Sequence, residues 1–277
     1  MPAARDEILR RAAVARASLR SCTLCERRCA VDRVAGERAP CGLDDRTFCF
    51  KRHVSYAEEL RLLPSYMVYL AGCNFRCRFC VQGPECFDPR RGLELDPAEA
   101  AADFARLVGR GARTINLLGG EPSMHLHTIL EIAAAAEQPL PLALNSNMYM
   151  TPEVIELLDG VVSLYIADFK FGNDDCAARL AGIDRYVEIV SRNLVLAAER
   201  AEVLVRHLVM PGHIECCLRP VARWLETNLP GAAVTLMTGY IPAWRAGDDP
   251  HIGRCLTADE RAAAERIADD HGLRRSA

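Results

Sequence analysis

Cys73, Cys77 and Cys80 stand in one short stretch, AGCNFRCRFC (71–80). Three thiols spaced C-x3-C-x2-C can wrap one face of an iron–sulphur cubane and leave its fourth iron without a protein ligand. Three ligands and one vacancy is the arrangement of a catalytic metal site, whereas a structural or electron-transfer cluster takes a fourth cysteine close by. Cys86 could supply that fourth ligand, so both readings stand at this point. A second group, Cys22-x2-Cys25-x3-Cys29-x11-Cys41, is a closed set of four, with Gly36 and Gly42 allowing tight turns. Four thiolates suit a second cluster or a tetrahedral zinc, and the ligands alone do not discriminate. The iron–sulphur reading is preferred because the same chain already needs cluster chemistry. Either way this segment is poor in core-forming residues and would depend on metal to fold. Arg27, Arg28 and Arg33 would offset thiolate charge or form a solvated basic face. The other six of the 13 cysteines read as scattered buried thiols: Cys49, Cys86, Cys176, Cys216, Cys217 and Cys255.

The 277 residues allow one large domain or a domain with a small appendage, and half of them are hydrophobic. A net charge of −3 gives no basic field for nucleic acid. No run of about 18 apolar residues is present to span a membrane. The arginine-rich start carries Asp6 and Glu7 and lacks an apolar core, so it reads as an amphipathic helix and not a targeting peptide. A cytoplasmic location is expected, where clustered thiols bind metal instead of forming disulfides. Lys51 and Lys170 are the only lysines among many arginines.

Residues 3–20 read as a helix and 21–60 as irregular and cysteine-rich. From residue 65 strands alternate with helices: strands over 65–72, 113–120, 141–147, 161–170, 201–210 and 232–239, with helices between them and a last one near 257–271. Thr151 and Asp96, each followed by proline, mark helix starts. Six such alternations predict an α/β fold with a parallel sheet. Polar residues recur at strand ends: Cys73, Glu121, Asn145–Asn147, Asp168–Lys170 and Arg206. Barrel enzymes build their sites there, so the expected fold is a partial (β/α)6 TIM-like barrel over 61–277, after an N-terminal cysteine-rich extension over 1–60.

Phe79 directly before the third cysteine, Gly119-Gly120-Glu121-Pro122 at the next strand end, and the DFK stretch (168–170) complete a pattern. It resembles the radical S-adenosylmethionine superfamily. The resemblance implies a [4Fe–4S] cluster on Cys73, Cys77 and Cys80 whose open iron binds S-adenosylmethionine, with reductive cleavage to a 5′-deoxyadenosyl radical that abstracts hydrogen. It assigns Gly119, Gly120 and Glu121 to the methionyl amino group. Asp168 and Lys170 share a strand face with Ile166, an apolar-to-ionic switch expected where a strand enters a polar cavity. Alternation sends Arg206 and His207 to opposite faces; Arg206 is the expected cavity residue and could meet a carboxylate.

Over roughly 65–240 the chain is similar to activating enzymes of glycyl-radical enzymes, in which positions matching Asn145, Ser146 and Asp168 help hold a monovalent cation. Asn145 stands where activases carry an acid. The cysteines before the radical motif look instead like an uncharacterised activase-like branch. The expected function is a radical enzyme acting on a small molecule or peptide. The alternatives are an activase for a partner glycyl-radical enzyme, or a non-enzymatic iron–sulphur electron carrier. Flavodoxin or ferredoxin is the expected electron donor.

Overall fold

The computed structural model describes residues 2–275. Helix α1 (Arg5–Ser18) comes first, and a cysteine-rich loop region leads to β1 (Phe48–Ser55). The alternating part follows: β2 (Ser65–Leu70), α2 (Gly83–Phe87), β3 (Leu93–Glu94), α3 (Pro97–Gly109), β4 (Thr114–Gly119), α4 (Leu126–Ala135), β5 (Leu142–Ser146), α5 (Pro152–Leu157) and β6 (Val162–Asp168). The chain closes with α6 (Asp174–Ala181), α7 (Tyr186–Ala198), β7 (Glu202–Leu208), α8 (Arg219–Asn228), β8 (Ala233–Met237), α9 (Ala258–Asp270) and β9 (Arg274–Arg275).

The sheet runs β3-β1-β2-β4-β5-β6-β7-β8-β9. Every pairing from β2 to β9 is parallel, and β1 is antiparallel to both β2 and β3. The six parallel strands expected from the sequence are β2, β4, β5, β6, β7 and β8, the architecture of a part-closed α/β barrel. Strand β2 is buried at every residue, as a strand covered on both faces must be. Ala143, Leu164, Ile166 and Leu204 form a small apolar cluster with Leu62 on one face of the sheet. Two residues further along the same strands stand Asn145, Asp168 and Arg206. One face therefore turns from apolar to polar toward the C-terminal strand ends. The helices pack against the other face in a larger core that also takes in Ile8, Leu19 and Leu24 from the N-terminal region. No helix among the described residues is long and apolar enough to cross a membrane.

Two local expectations change, and one of the two helix starts, though correctly placed, lacks its cap bond. Residues 48–55, read as irregular, form β1; the run Lys51-Arg52-His53 hid its pattern, and charges of that kind suit a strand near a sheet edge. Asp96 caps α3 by accepting from Ala98 and Glu99 amides, whereas the Thr151 side chain makes no cap bond. The helix expected between strands 201–210 and 232–239 is broken into a π-turn (Ile214–Leu218) and α8. Pro220, at the second position of α8, lacks the N–H that would bond the Cys216 carbonyl four residues earlier.

Candidate active site at the strand ends

A cavity of about 310 Å3 opens at the C-terminal ends of the parallel strands. Cys73, Cys77 and Cys80 line it, with Phe79, Gly119, Gly120, Asn145, Asn147, Asp168, Lys170 and Arg206. Residues from the ends of β2, β4, β5, β6 and β7 thus meet at one place. Gly120 has no room for a side chain, since a Cβ would stand 1.9 Å from the Gly72 carbonyl oxygen. Gly119 has φ of +115°, and its Cβ would meet the Leu70 backbone. The two glycines let the end of β4 lie flush against the start of the cysteine loop, with the Gly120 and Glu121 amides donating to Leu70 and Gly72.

Glu121 itself lies behind the cavity wall. It is fully buried, and its carboxylate accepts from the Ser123 amide and hydroxyl, the Ser146 hydroxyl and the Asn147 amide at 2.6–3.1 Å. Burial raises its pKa despite these four donors. The carboxylate joins the ends of β4 and β5. Ser146 also faces away from the cavity, as alternation between Asn145 and Asn147 requires, so Asn145 and Asp168 are the two members of the expected cation trio that reach it.

Lys170 is paired with Asp168. Burial works against the ammonium, but Asp168 and then Cys77 outweigh it and raise the pKa. The lysine therefore stays charged between Asp168 and the Cys77 sulfur. Burial pushes the Cys77 thiol up to about 12 and Cys73 well above its usual range. Cys80 falls to about 7, chiefly because Cys86 donates to it, with the two sulfurs 3.8 Å apart. Cys86 is fully buried and lines the same cavity, with its sulfur 3.5 Å from the Gly83 carbonyl oxygen. Phe79 is buried and meets the Phe171 ring at 6.1 Å, forming an apolar wall behind the thiols.

Arg206 reaches the cavity, and its guanidinium is held by Glu58 at 2.5 Å and by Glu59 at 2.6 and 3.0 Å. Thr235 also donates to Glu59 at 2.7 Å. The carboxylates that meet this arginine come from the AEEL stretch (57–60), which drew no notice in the sequence. His207 is buried on the opposite face, bonded through Nδ1 to the Phe169 carbonyl, and burial lowers it to about 4.

Residues 67–225 match the Radical SAM superfamily. An uncharacterised protein of Methanocaldococcus jannaschii is 35% identical over 266 residues, 94% of this chain and 78% of that protein. The chain belongs to the radical SAM superfamily. A second protein of that organism, named as a glycyl-radical enzyme activating enzyme, is 32% identical over 95 residues, 34% of this chain and 37% of its own length. Streptococcus suis SuiB bound to its precursor peptide SuiA has a similar fold, with a TM-score of 0.54 at 16% identity over 73% of this chain. This radical SAM chain spans 46% of SuiB. Membership makes it an enzyme of the radical SAM type, with a [4Fe–4S] cluster and S-adenosylmethionine as the family's cofactors. The donor set fits that pair: three thiols converge on one cavity, with a cation and two asparagines facing them.

The radical SAM fold carries the N-terminal cysteines close by. Cys25 forms a β-bridge with Met150, just beyond β5. Cys22, Cys25 and Cys41 are buried and Cys29 half-buried. Burial pushes Cys25 up to about 12, and the Asn74 amide is its side-chain partner. Arg33 is fully buried, donates to the Asp44 and Met124 carbonyls, and stands 4.0 Å from the Cys22 sulfur. Arg28 instead pairs with Glu26, and Arg27 donates to the Asn74 and Gly182 carbonyls. Of the three arginines, Arg33 is the one that turns a buried positive charge to the cysteines.

Proposed function

We propose that this radical SAM enzyme acts on an unidentified small molecule or peptide, with its cluster on Cys73, Cys77 and Cys80. One observation carries the reading: these three thiols and the polar ends of β4, β5, β6 and β7 line a single cavity. The bound cluster and S-adenosylmethionine would supply reductive cleavage of a sulfonium and abstraction of a hydrogen atom. Gly119 and Gly120 hold the end of β4 against the cysteine loop and bring its backbone to the cavity wall, where an amino-acid moiety would lie. Asn145 and Asn147 offer amide groups to its polar atoms, and Lys170 offsets thiolate charge. Phe79 and Phe75 exclude water behind the ligands. Around the mouth, Val81, Met237 and Ile241 line the cavity and remain exposed, which suits a substrate with an apolar face such as a peptide side chain.

The buried four-cysteine segment, with Arg33 against it, is read as the seat of a second iron–sulphur cluster or a zinc ion. Asn74 Nδ2 is buried beside the Cys25 sulfur and makes no hydrogen bond to an oxygen or nitrogen. An N–H in that place suits a sulfur carrying negative charge. A flavodoxin or ferredoxin is the proposed electron donor. Activation of a partner glycyl-radical enzyme is a second reading, favoured by the 95-residue similarity to the protein so named.

Anaerobic reconstitution with S-adenosylmethionine and a reductant tests the proposal. Release of 5′-deoxyadenosine by the wild type, absent in Cys77→Ala, is the expected result; release undiminished in that variant contradicts the ligand assignment. A stable glycyl EPR signal on an added partner enzyme would select the second reading.

A further inference from the structure

Cys176, Cys216 and Cys217, read from the sequence as scattered thiols, meet in space. Their sulfurs all lie within 4.8 Å of one another, with Cys176–Cys216 and Cys216–Cys217 each at 3.9 Å. Among the described residues this is the group of three metal-capable side chains drawn so close. We propose that these three cysteines form a thiolate site for a soft divalent cation of the zinc class, with its fourth position open.

The spacing selects the ion. Three sulfurs, each about 2.3 Å from one tetrahedral zinc, stand about 3.8 Å apart. A cubane whose thiolates bind different irons needs its sulfurs further apart. Three soft thiolates with no carboxylate or carbonyl ligand exclude magnesium and calcium as natural occupants. Binding releases the thiol protons to solvent, and three sulfur–metal bonds replace three S–H bonds.

The surroundings hold the cysteines in place before any ion arrives. Cys176 lies in the first turn of α6, and Cys216 and Cys217 lie in the π-turn after β7, so two separate strand–helix connections supply the sulfurs. Asn173 ties the two together: its Oδ1 accepts from the Cys176 amide at 2.8 Å, and its Nδ2 donates to the Cys216 carbonyl at 2.7 Å. That carbonyl is available because Pro220 brings no N–H to it. The same Nδ2 stands 4.0 Å from the Cys217 sulfur. Gly172 has no space for a side chain, since a Cβ there would meet the Cys217 carbonyl oxygen at 2.5 Å. The π-turn, a rare local winding that often marks functional sites, brings two adjacent cysteines to face one partner. Cys217 is buried, Cys176 half-buried and Cys216 exposed, which leaves a solvent-side approach for the ion. The site lies six residues beyond Lys170 along the chain, so a bound ion would pin the connection that leaves the active-site cavity.

The test uses the full chain, reconstituted anaerobically with iron and sulfide, then equilibrated with Zn2+ and washed with a weak chelator. Zinc and iron per chain are measured by mass spectrometry in the wild type, Cys176→Ser and Cys216→Ser. Each variant is expected to hold about one zinc fewer than the wild type at unchanged iron. Co2+ in place of Zn2+ should give a thiolate charge-transfer band and tetrahedral d–d bands that are weaker in both variants by the contribution of one site. Equal zinc in all three proteins, loss of iron from both variants, or a Cys176–Cys216 or Cys216–Cys217 disulfide in the anaerobic wild type would each overturn the proposal. None of these results depends on whether S-adenosylmethionine is cleaved.

Discussion

Two trios of cysteines sit on the same side of this molecule and reach it by different routes. Cys73, Cys77 and Cys80 follow one strand and are neighbours in sequence, whereas Cys176 and Cys216 are 40 residues apart and meet only because β6 and β7 are adjacent. The first trio lines a cavity with a lysine and two asparagines; the second is drawn tightly around itself at the protein surface. Spacing along a loop is enough to announce a cluster site. A site assembled from two connections depends on strand order and on a proline-broken helix, neither of which local spacing encodes.

The sharpest way to break this comparison is at the first trio. Cys77→Ala is expected to lose the site's cluster and all 5′-deoxyadenosine release, read by iron content and product analysis. Gly120→Ala comes next. A methyl group 1.9 Å from the Gly72 oxygen forces β4 away from the cysteine loop, and a loss of more than about 3 kcal/mol is expected in denaturant unfolding. Wild-type stability in Gly120→Ala would mean that the two strand ends are not in contact.

Arg206→Ala should cost about 3–5 kcal/mol, because it leaves Glu58 and Glu59 beside the cavity without their cation. The pair also sets a pH dependence. Burial alone would raise Glu59, but the Arg206 hydrogen bond and charge outweigh it, so the folded-state pKa is lowered. Its contribution to stability is complete above the ordinary glutamate range and is lost as pH falls through the lowered value. Melting temperature against pH should therefore drop on the acid side for the wild type and drop less steeply for Glu59→Gln. The smallest effect is expected at the second trio: Asn173→Ala keeps all three sulfurs but unties their segments, and should weaken Co2+ binding about tenfold.

Much of the candidate site was legible because its residues obey local rules. Period-two alternation correctly separated Arg206 from His207 and put Asp168 on the face of Ile166. The six parallel strands followed from apolar runs between helices. What stayed hidden depends on distant partners. Glu121 looks like a free carboxylate in the GGEP stretch, yet Ser146 and Asn147, about 25 residues on, occupy its oxygens. Arg206 invited a substrate carboxylate, and Glu58 and Glu59, nearly 150 residues away in sequence, fill that role. Strand β1 was concealed by its charged run, and the second cysteine trio by the assumption that unclustered thiols only pack.

Cys86 is the residue on which the vacant corner turns, since its sulfur lies 3.8 Å from Cys80 inside the same cavity. The direct measurement is the EPR spectrum of the reduced cluster, with and without S-adenosylmethionine, in the wild type and in Cys86→Ala. Equal iron in the two proteins and the same change of spectrum when the nucleoside is added are expected. A wild-type spectrum indifferent to S-adenosylmethionine, or a cluster that disappears with Cys86, would show four sulfur ligands and contradict the vacant corner.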